Sequence, residues 1–139
     1  MNRSREFFSA CLIIIIGITL IGCSADTTPR ITDAALGTQV QAGKVVTRAT
    51  TFAPQDRMIH LVVQMENLIT PARVAAQWYR IAASGGQDQL LFQSDLALDP
   101  LNTSADFTLT SSSDWQPGNY KVVITLNDKE DRTLNFAIK

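Results

Sequence analysis

Histidine is the side chain best suited to acid–base catalysis and metal binding near neutral pH, and this sequence contains one, His60. A Ser/His/Asp arrangement or a zinc site needs partner residues at set spacings. No G-x-S-x-G, H-E-x-x-H or glycine-rich phosphate-binding motif occurs in the sequence. We therefore assign His60 a structural or surface role and predict a chain that is not an enzyme and uses no cofactor.

The carboxylates are dispersed along the chain. Five of the 13 acidic residues are scattered over predicted turns and strand surfaces: Asp88, Asp95, Asp99, Asp106 and Asp114. Only the predicted hairpin turn Asn127–Asp131 groups three of them. Calcium requires several convergent oxygen ligands, and EF-hand spacing is absent. Solvated turns are the favoured interpretation, and a calcium site in this hairpin stays open.

The N-terminal segment has the pattern of an export signal. Arg3 and Arg5 precede an apolar run, Phe7–Ile21, whose 15 residues would span about 22 Å as a helix. A bilayer core is about 30 Å thick, so this run is too short for a stable transmembrane helix. A basic start followed by such a run is typical of a signal peptide, which we predict over residues 1–22.

The end of this run, Leu20-Ile21-Gly22-Cys23, resembles the lipobox of bacterial lipoproteins: a branched apolar residue, a tolerant position, a small residue and Cys. The resemblance implies cleavage before Cys23 and attachment of a diacylglyceryl group to its thiol, since a Cys thiolate can form the required thioether. Two or more acyl chains are enough for stable membrane anchoring. Ser24 implies outer-membrane sorting in a two-membrane bacterium. In a one-membrane bacterium the domain would lie on the outer face of the cytoplasmic membrane.

Charge and cysteine content restrict the mature domain further. The whole chain has 12 basic and 13 acidic residues, and removal of residues 1–22 leaves 10 and 12, a net charge of −2. No basic stripe is present, which argues against nucleic acid as a partner. Cys11 leaves with the signal peptide and Cys23 is lipidated, so we expect no disulfide in the mature domain.

Residues after position 42 have the alternation of β-strands. Residues 23–42 show little periodicity and are predicted to be a flexible tether, leaving residues 43–139 as the domain. A first strand is expected within 38–49, and period-two alternation predicts the others over 58–66, 73–81, 89–96, 104–110, 119–126 and 132–138. About seven short strands with turns between them predict an all-β, antiparallel sandwich.

Two aromatic residues carry a resemblance to immunoglobulin-like domains. Trp78 lies inward on the third strand, and Tyr120 begins the sixth strand two residues before Val122. Such domains place a core Trp on strand C and a tyrosine corner at the start of strand F. Where antibody domains have a disulfide, this chain has Val122 opposite Leu61 or Val63. The resemblance covers about residues 44–139 and implies a fold without implying an activity.

The outward face of the predicted strands 73–81, 119–126 and 132–138, which correspond to strands C, F and G of immunoglobulin-like domains, carries unusually few charges for a solvated sheet. Interfaces are depleted of charge at their centres and enriched in Tyr. We therefore predict this face to be an interaction surface centred on Gln77, Tyr79, Val123, Thr125 and Asn135.

These observations favour a membrane-anchored lipoprotein of the cell envelope, held by the lipid on Cys23. Its non-catalytic module would bind another envelope protein or support an assembly. One alternative is a hydrolase inhibitor that presents the Asn67–Ala72 loop and the Asn127–Asp131 hairpin. Another is a binder of sugars or other small ligands through Trp115.

Overall fold

The computed structural model describes residues 26–139, and it contains ten strands. The predicted signal peptide and Cys23 lie outside the described residues. No helix between residues 26 and 139 is long and apolar enough to cross a membrane. The strands are β1 Arg30–Gly37, β2 Val40–Gln41, β3 Lys44–Val45, β4 Thr51–Phe52, β5 Met58–Glu66, β6 Ala72–Arg80, β7 Gln89–Leu98, β8 Ser104–Thr110, β9 Gly118–Leu126 and β10 Lys129–Ile138.

Two sheets pack face to face. One has the strand order β1-β5-β8, and the other has the order β4-β10-β9-β6-β7. Neighbouring strands in the two sheets run antiparallel, except that the short β4 runs parallel to β10. Strands β5 and β8 thus lie in one sheet and β6, β9 and β10 in the other, as strands B and E and strands C, F and G do in immunoglobulin-like domains. The predicted immunoglobulin-like sandwich is confirmed.

The core follows the predicted alternation. Fully buried side chains come from both sheets, among them Ile59, Leu61, Val63, Val74, Trp78, Val122 and Ile124. At one end of the core the ring of Phe136 contacts three other aromatic rings, with centroid distances of 5.7 Å to Phe52, 6.0 Å to Trp78 and 5.4 Å to Tyr120. Antibody domains join their two sheets by a disulfide at the position of Val122. In this domain the two sheets are joined there by close apolar packing of Val122 and its neighbours in the core.

The tyrosine corner is present. The Tyr120 hydroxyl donates a hydrogen bond of 2.6 Å to the carbonyl oxygen of Gln116, four residues upstream. Burial raises the pKa of this hydroxyl. The contact fixes the chain where it enters β9 and confirms the role expected of Tyr120.

The predicted tether over residues 23–42 is wrong over much of its length. Arg30–Gly37 forms β1, which pairs antiparallel with β5 and buries Ile31 and Leu36 in the core. A break in register between Ile31 and Asp33 interrupts the period-two alternation, which hides the strand in the sequence. The domain therefore begins near residue 30, and the range 38–49 contains the small β2–β3 hairpin, Val40–Val45, in place of a first strand.

The last hairpin is tighter than predicted. Its turn is Asn127–Asp128, both with positive φ (50° and 66°), as a two-residue hairpin turn of type I′ requires. Strand β10 accordingly starts at Lys129, three residues before the predicted start at Arg132.

Gly37 offers a test of how the β2–β3 hairpin packs on the smaller sheet. A Cβ at position 37 would lie 2.3 Å from Val45 Cγ1 and 2.6 Å from the Thr47 carbonyl oxygen. Since backbone must shift to make room, Gly37→Ala should lower the free energy of unfolding by about 1–3 kcal/mol in urea denaturation. Gly86→Ala is the control, because its Cβ would meet only Ala82 at 3.6 Å. Equal stability of the two variants would show that the hairpin does not pack against β1.

Candidate interaction face

The five predicted face residues come together on one side of the larger sheet. Gln77 pairs with Val123, and Tyr79 pairs with Lys121, which in turn pairs with Asn135 on the next strand. We call this surface the outer face, defined by Gln77, Tyr79, Val123, Thr125 and Asn135. Asn135 is exposed and the other four are half-buried. The placement agrees with the sequence analysis, and the interaction role stays a prediction.

One end of the outer face carries a compensated charge pair. Lys121 Nζ lies 2.7 Å from Asp88 Oδ2 and 5.4 Å from the centre of the Tyr79 ring. The hydrogen bond from Lys121, with another from the Ala82 amide, lowers the pKa of Asp88. The same contact with Asp88 raises the pKa of Lys121. The cation at this end of the outer face is therefore already paired with a carboxylate.

The other end of the outer face carries a second charge cluster. Arg73 Nε lies 2.9 Å from Asp95 Oδ2, and Arg73 Nη1 lies 3.0 Å from Asp128 Oδ1. The hydrogen bond from Arg73 lowers the pKa of Asp95. Gln77, Val123 and Thr125 are the neutral side chains between the two clusters, and Tyr79 donates a 3.2 Å hydrogen bond to Gln77 Oε1. Glu130, which pairs with Thr125, is an exposed carboxylate at the rim of this face.

The structure adds a feature that the sequence analysis missed, the edge of the larger sheet at β7. Leu90, Phe92 and Leu96 on this strand are between 43% and 47% exposed. Leu90 pairs with Tyr79 and so extends the outer face, whereas Phe92 pairs with the buried Trp78 on the opposite side. The run of apolar residues from Leu90 to Phe92 was visible in the sequence, but alternation does not reveal which strand lies at an edge.

His60 lies on the smaller sheet, away from the outer face. Its Nδ1 is 3.0 Å from Asp106 Oδ1 and 3.3 Å from Thr108 Oγ1, and its side chain is mostly buried. The pair joins β5 to β8. Within residues 26–139 no group of three or more His, Cys, Asp or Glu residues is arranged to hold a metal ion.

The carboxylates of the last hairpin are engaged within the protein. Asp128 pairs with Arg73, Asp131 pairs with Arg132 at 2.6 Å, and Glu130 accepts a hydrogen bond of 3.1 Å from Thr133. These carboxylates therefore point to different partners and do not converge on a common point.

Trp115 packs at the end of the sandwich where β5 and β9 begin, beside Pro54 and Asp56. Its side chain is partly buried against the core, and its indole N–H donates to the carbonyl oxygen of Asp56. This arrangement fits a residue that closes the end of the core better than an open aromatic platform for a sugar.

Comparison with known proteins supports the fold. No family model and no curated protein matches the sequence. An immunoglobulin-like protein from Pseudomonas aeruginosa is similar in structure, with a TM-score of 0.58 and 14% identity over 85% of this chain and 100% of its own. An alkylpurine DNA glycosylase from Pseudomonas fluorescens has a TM-score of 0.51 and 12% identity over 80% of this chain and 30% of its own. At these identities the likeness shows an immunoglobulin-like fold and nothing about activity.

Proposed function

We propose that this protein is a lipid-anchored component of the bacterial cell envelope, and that its immunoglobulin-like domain binds another envelope protein through the outer face. The membrane anchor is the lipid on Cys23. The module is not catalytic and takes no cofactor. The envelope compartment is the outer membrane in a two-membrane bacterium and the outer face of the cytoplasmic membrane otherwise.

The observation that supports this role is the distribution of charge on the outer face. Transfer of an unpaired charge out of water is costly, whereas neutral side chains that can hydrogen-bond are desolvated at a lower cost. Here Lys121 and Arg73 each lie within an ion-paired cluster, the neutral side chains of Gln77, Val123 and Thr125 lie between the two clusters, and Glu130 lies at the rim. This is the pattern of a contact surface with an uncharged centre and a polar rim.

A site-specific crosslink tests the role of this face. A photoreactive amino acid at Gln77, which is half-buried at the centre of the face, should form a discrete crosslinked band with a neighbouring protein in living cells. The double variant Tyr79→Glu, Val123→Glu should lose that band, because two charges would be desolvated at the contact. Circular dichroism and thermal melting should show that the variant still folds.

The control carries the same two charges elsewhere. Ser84→Glu, Ser113→Glu changes exposed loop residues at one end of the sandwich, and it should keep the band. Asn135→Arg, at an exposed position of the face, should weaken the band without affecting the fold. A band that survives in the folded Tyr79→Glu, Val123→Glu variant would show that the outer face is not the binding surface.

A hydrolase inhibitor is the second candidate. The two loops that an inhibitor would present, Asn67–Ala72 and Asn127–Asp131, lie at the same end of the sandwich. There the Asn127 side chain accepts a 2.9 Å hydrogen bond from the Arg73 amide, and the Asn127 amide donates a 2.8 Å bond to the Arg73 carbonyl. Inhibition of a protease or a muramidase by the purified protein, abolished by changes at Ile69 and unaffected by changes at Tyr79, would favour this candidate over the outer face.

A further inference from the structure

The start of the domain, two loops and one hairpin turn lie at the same end of the sandwich. Arg30, the first residue of β1, pairs with Glu66 at the end of β5. The β5–β6 loop over residues 67–71 follows directly, and the pairing of Ala72 with Leu98 brings the β7–β8 loop over residues 99–103 beside it. The turn of the β9–β10 hairpin lies at the same end. We call this the near end.

Two aliphatic side chains project from the near end. Leu101 is 92% exposed and Ile69 is 66% exposed, the two highest values among the large hydrophobic side chains of residues 26–139. Each belongs to a different loop that crosses between the sheets. Burial of either side chain in an apolar environment would be favourable, and nothing within the domain provides it.

Local hydrogen bonds hold the backbone of both loops at these two residues. Asp99 Oδ1 accepts bonds of 2.8 Å from the Leu101 amide and 3.0 Å from the Asn102 amide. The Ile69 amide donates a 2.9 Å bond to the Asn67 carbonyl. Leu101 and Ile69 are therefore exposed on loops with a defined, hydrogen-bonded backbone.

The ionic groups nearest these loops have hydrogen-bond or ion-pair partners within the domain. Glu66 forms an ion pair with Arg30, and Asp128 lies 3.0 Å from Arg73. The Asp99 carboxylate accepts backbone N–H bonds. Asp99 and the Arg73–Asp95–Asp128 group keep a negative charge, so they must stay at the hydrated headgroup level while the side chains of Ile69 and Leu101 reach deeper.

The length of chain between Cys23 and Arg30 determines which end of the domain can reach a membrane. Seven residues span at most about 25 Å when fully extended. The nine-residue strand β6 is about 30 Å long. A lipid on Cys23 thus keeps Arg30 within about 25 Å of the bilayer. The tether is therefore too short for the opposite end of the domain to stand on the membrane with the domain upright.

From these observations we propose that Ile69 and Leu101 insert into the headgroup and acyl boundary of the membrane that holds the Cys23 lipid. The inference rests on the proposed function, because the lipid on Cys23 supplies the orientation. The two side chains act as a second, weaker contact that fixes the tilt of the domain. The outer face then stands roughly perpendicular to the membrane, accessible to a neighbouring envelope protein.

Depth-dependent fluorescence quenching tests the proposal on the full, lipidated protein. The mature chain has no cysteine besides Cys23, so Leu101→Cys provides a unique free thiol for a small environment-sensitive fluorophore. The protein is reconstituted in vesicles of phosphatidylethanolamine and phosphatidylglycerol with a nitroxide-bearing phospholipid. Ser84→Cys, in the exposed β6–β7 turn at the opposite end, is the matched control.

The proposal predicts a blue-shifted emission at position 101 and severalfold stronger quenching by the nitroxide lipid than at position 84. Equal quenching at both positions would overturn it, since the domain would then lie on its side. A blue shift without lipid quenching would also overturn it, by showing that a protein covers the near end. The mass of each protein sample distinguishes failure of the membrane contact from failure of the proposed function. Lipidated protein without quenching at position 101 refutes only the membrane contact. An unmodified Cys23 refutes the proposed function.

Discussion

Trp78→Ala should lower the free energy of unfolding by about 3–5 kcal/mol, as expected when a large aromatic side chain is removed from a packed core. The Trp78 side chain is completely buried, and its ring packs edge-on against Phe136 at 6.0 Å. Domains of this size are stable by about 5–15 kcal/mol in total. We therefore expect a markedly lower melting temperature and a population of unfolded protein under mild conditions.

Two further variants test whether the loss at Trp78 comes from its packing in the core and whether the strand faces are assigned correctly. The Trp78 indole nitrogen is buried and has no hydrogen-bond partner within the described residues, so Trp78→Phe removes volume together with an unsatisfied donor and should cost less than Trp78→Ala. Tyr79→Ala, one residue on, should cost about 1 kcal/mol or less, because Tyr79 is half-buried on the outer face. Equal losses at positions 78 and 79 in urea denaturation would show that the strand faces are assigned incorrectly.

Cys23→Ser should have the largest effect on location. A serine hydroxyl cannot replace the thiolate that attacks the lipid donor, so the precursor should keep residues 1–22 and gain no lipid. Labelled fatty acid should no longer be incorporated, and the band on a denaturing gel should run at the precursor size. Cys11→Ser is the matched control, because it changes a thiol within the predicted signal peptide, and it should be processed normally. A Cys23→Ser protein that matures and still incorporates fatty acid would contradict the proposed anchor.

Much of the sandwich could be predicted because its central strands are buried on one face. The predicted bounds match those of β5 and β8, and they differ by one residue at the start of β9 and at each end of β6. Along these strands apolar and polar residues alternate with little interruption, as expected of a sheet with one buried face. The same alternation was enough to place Gln77, Tyr79 and Val123 on a common face.

The remaining features depend on contacts between distant segments. Strand β1 escaped prediction because its register shifts between Ile31 and Asp33 and because Ala34 and Ala35 break the contrast between faces. The exposed position of β7 follows from the strand order of the whole sheet, which no local pattern contains. The pairing of Lys121 with Asp88 likewise joins a strand to a loop 33 residues away, so the compensated charge of the outer face could be recognised only in the folded domain.

The lipid anchor can be tested by the mass of the mature N-terminal peptide, isolated from membranes of cells that express the wild-type chain. We expect a peptide that begins at Cys23, carries the added mass of a diacylglyceryl group on sulfur and is recovered from the membrane fraction. A peptide that begins elsewhere, or one that contains Cys23 as an unmodified thiol within an uncleaved chain, would contradict the assignment of this protein as a lipid-anchored envelope module.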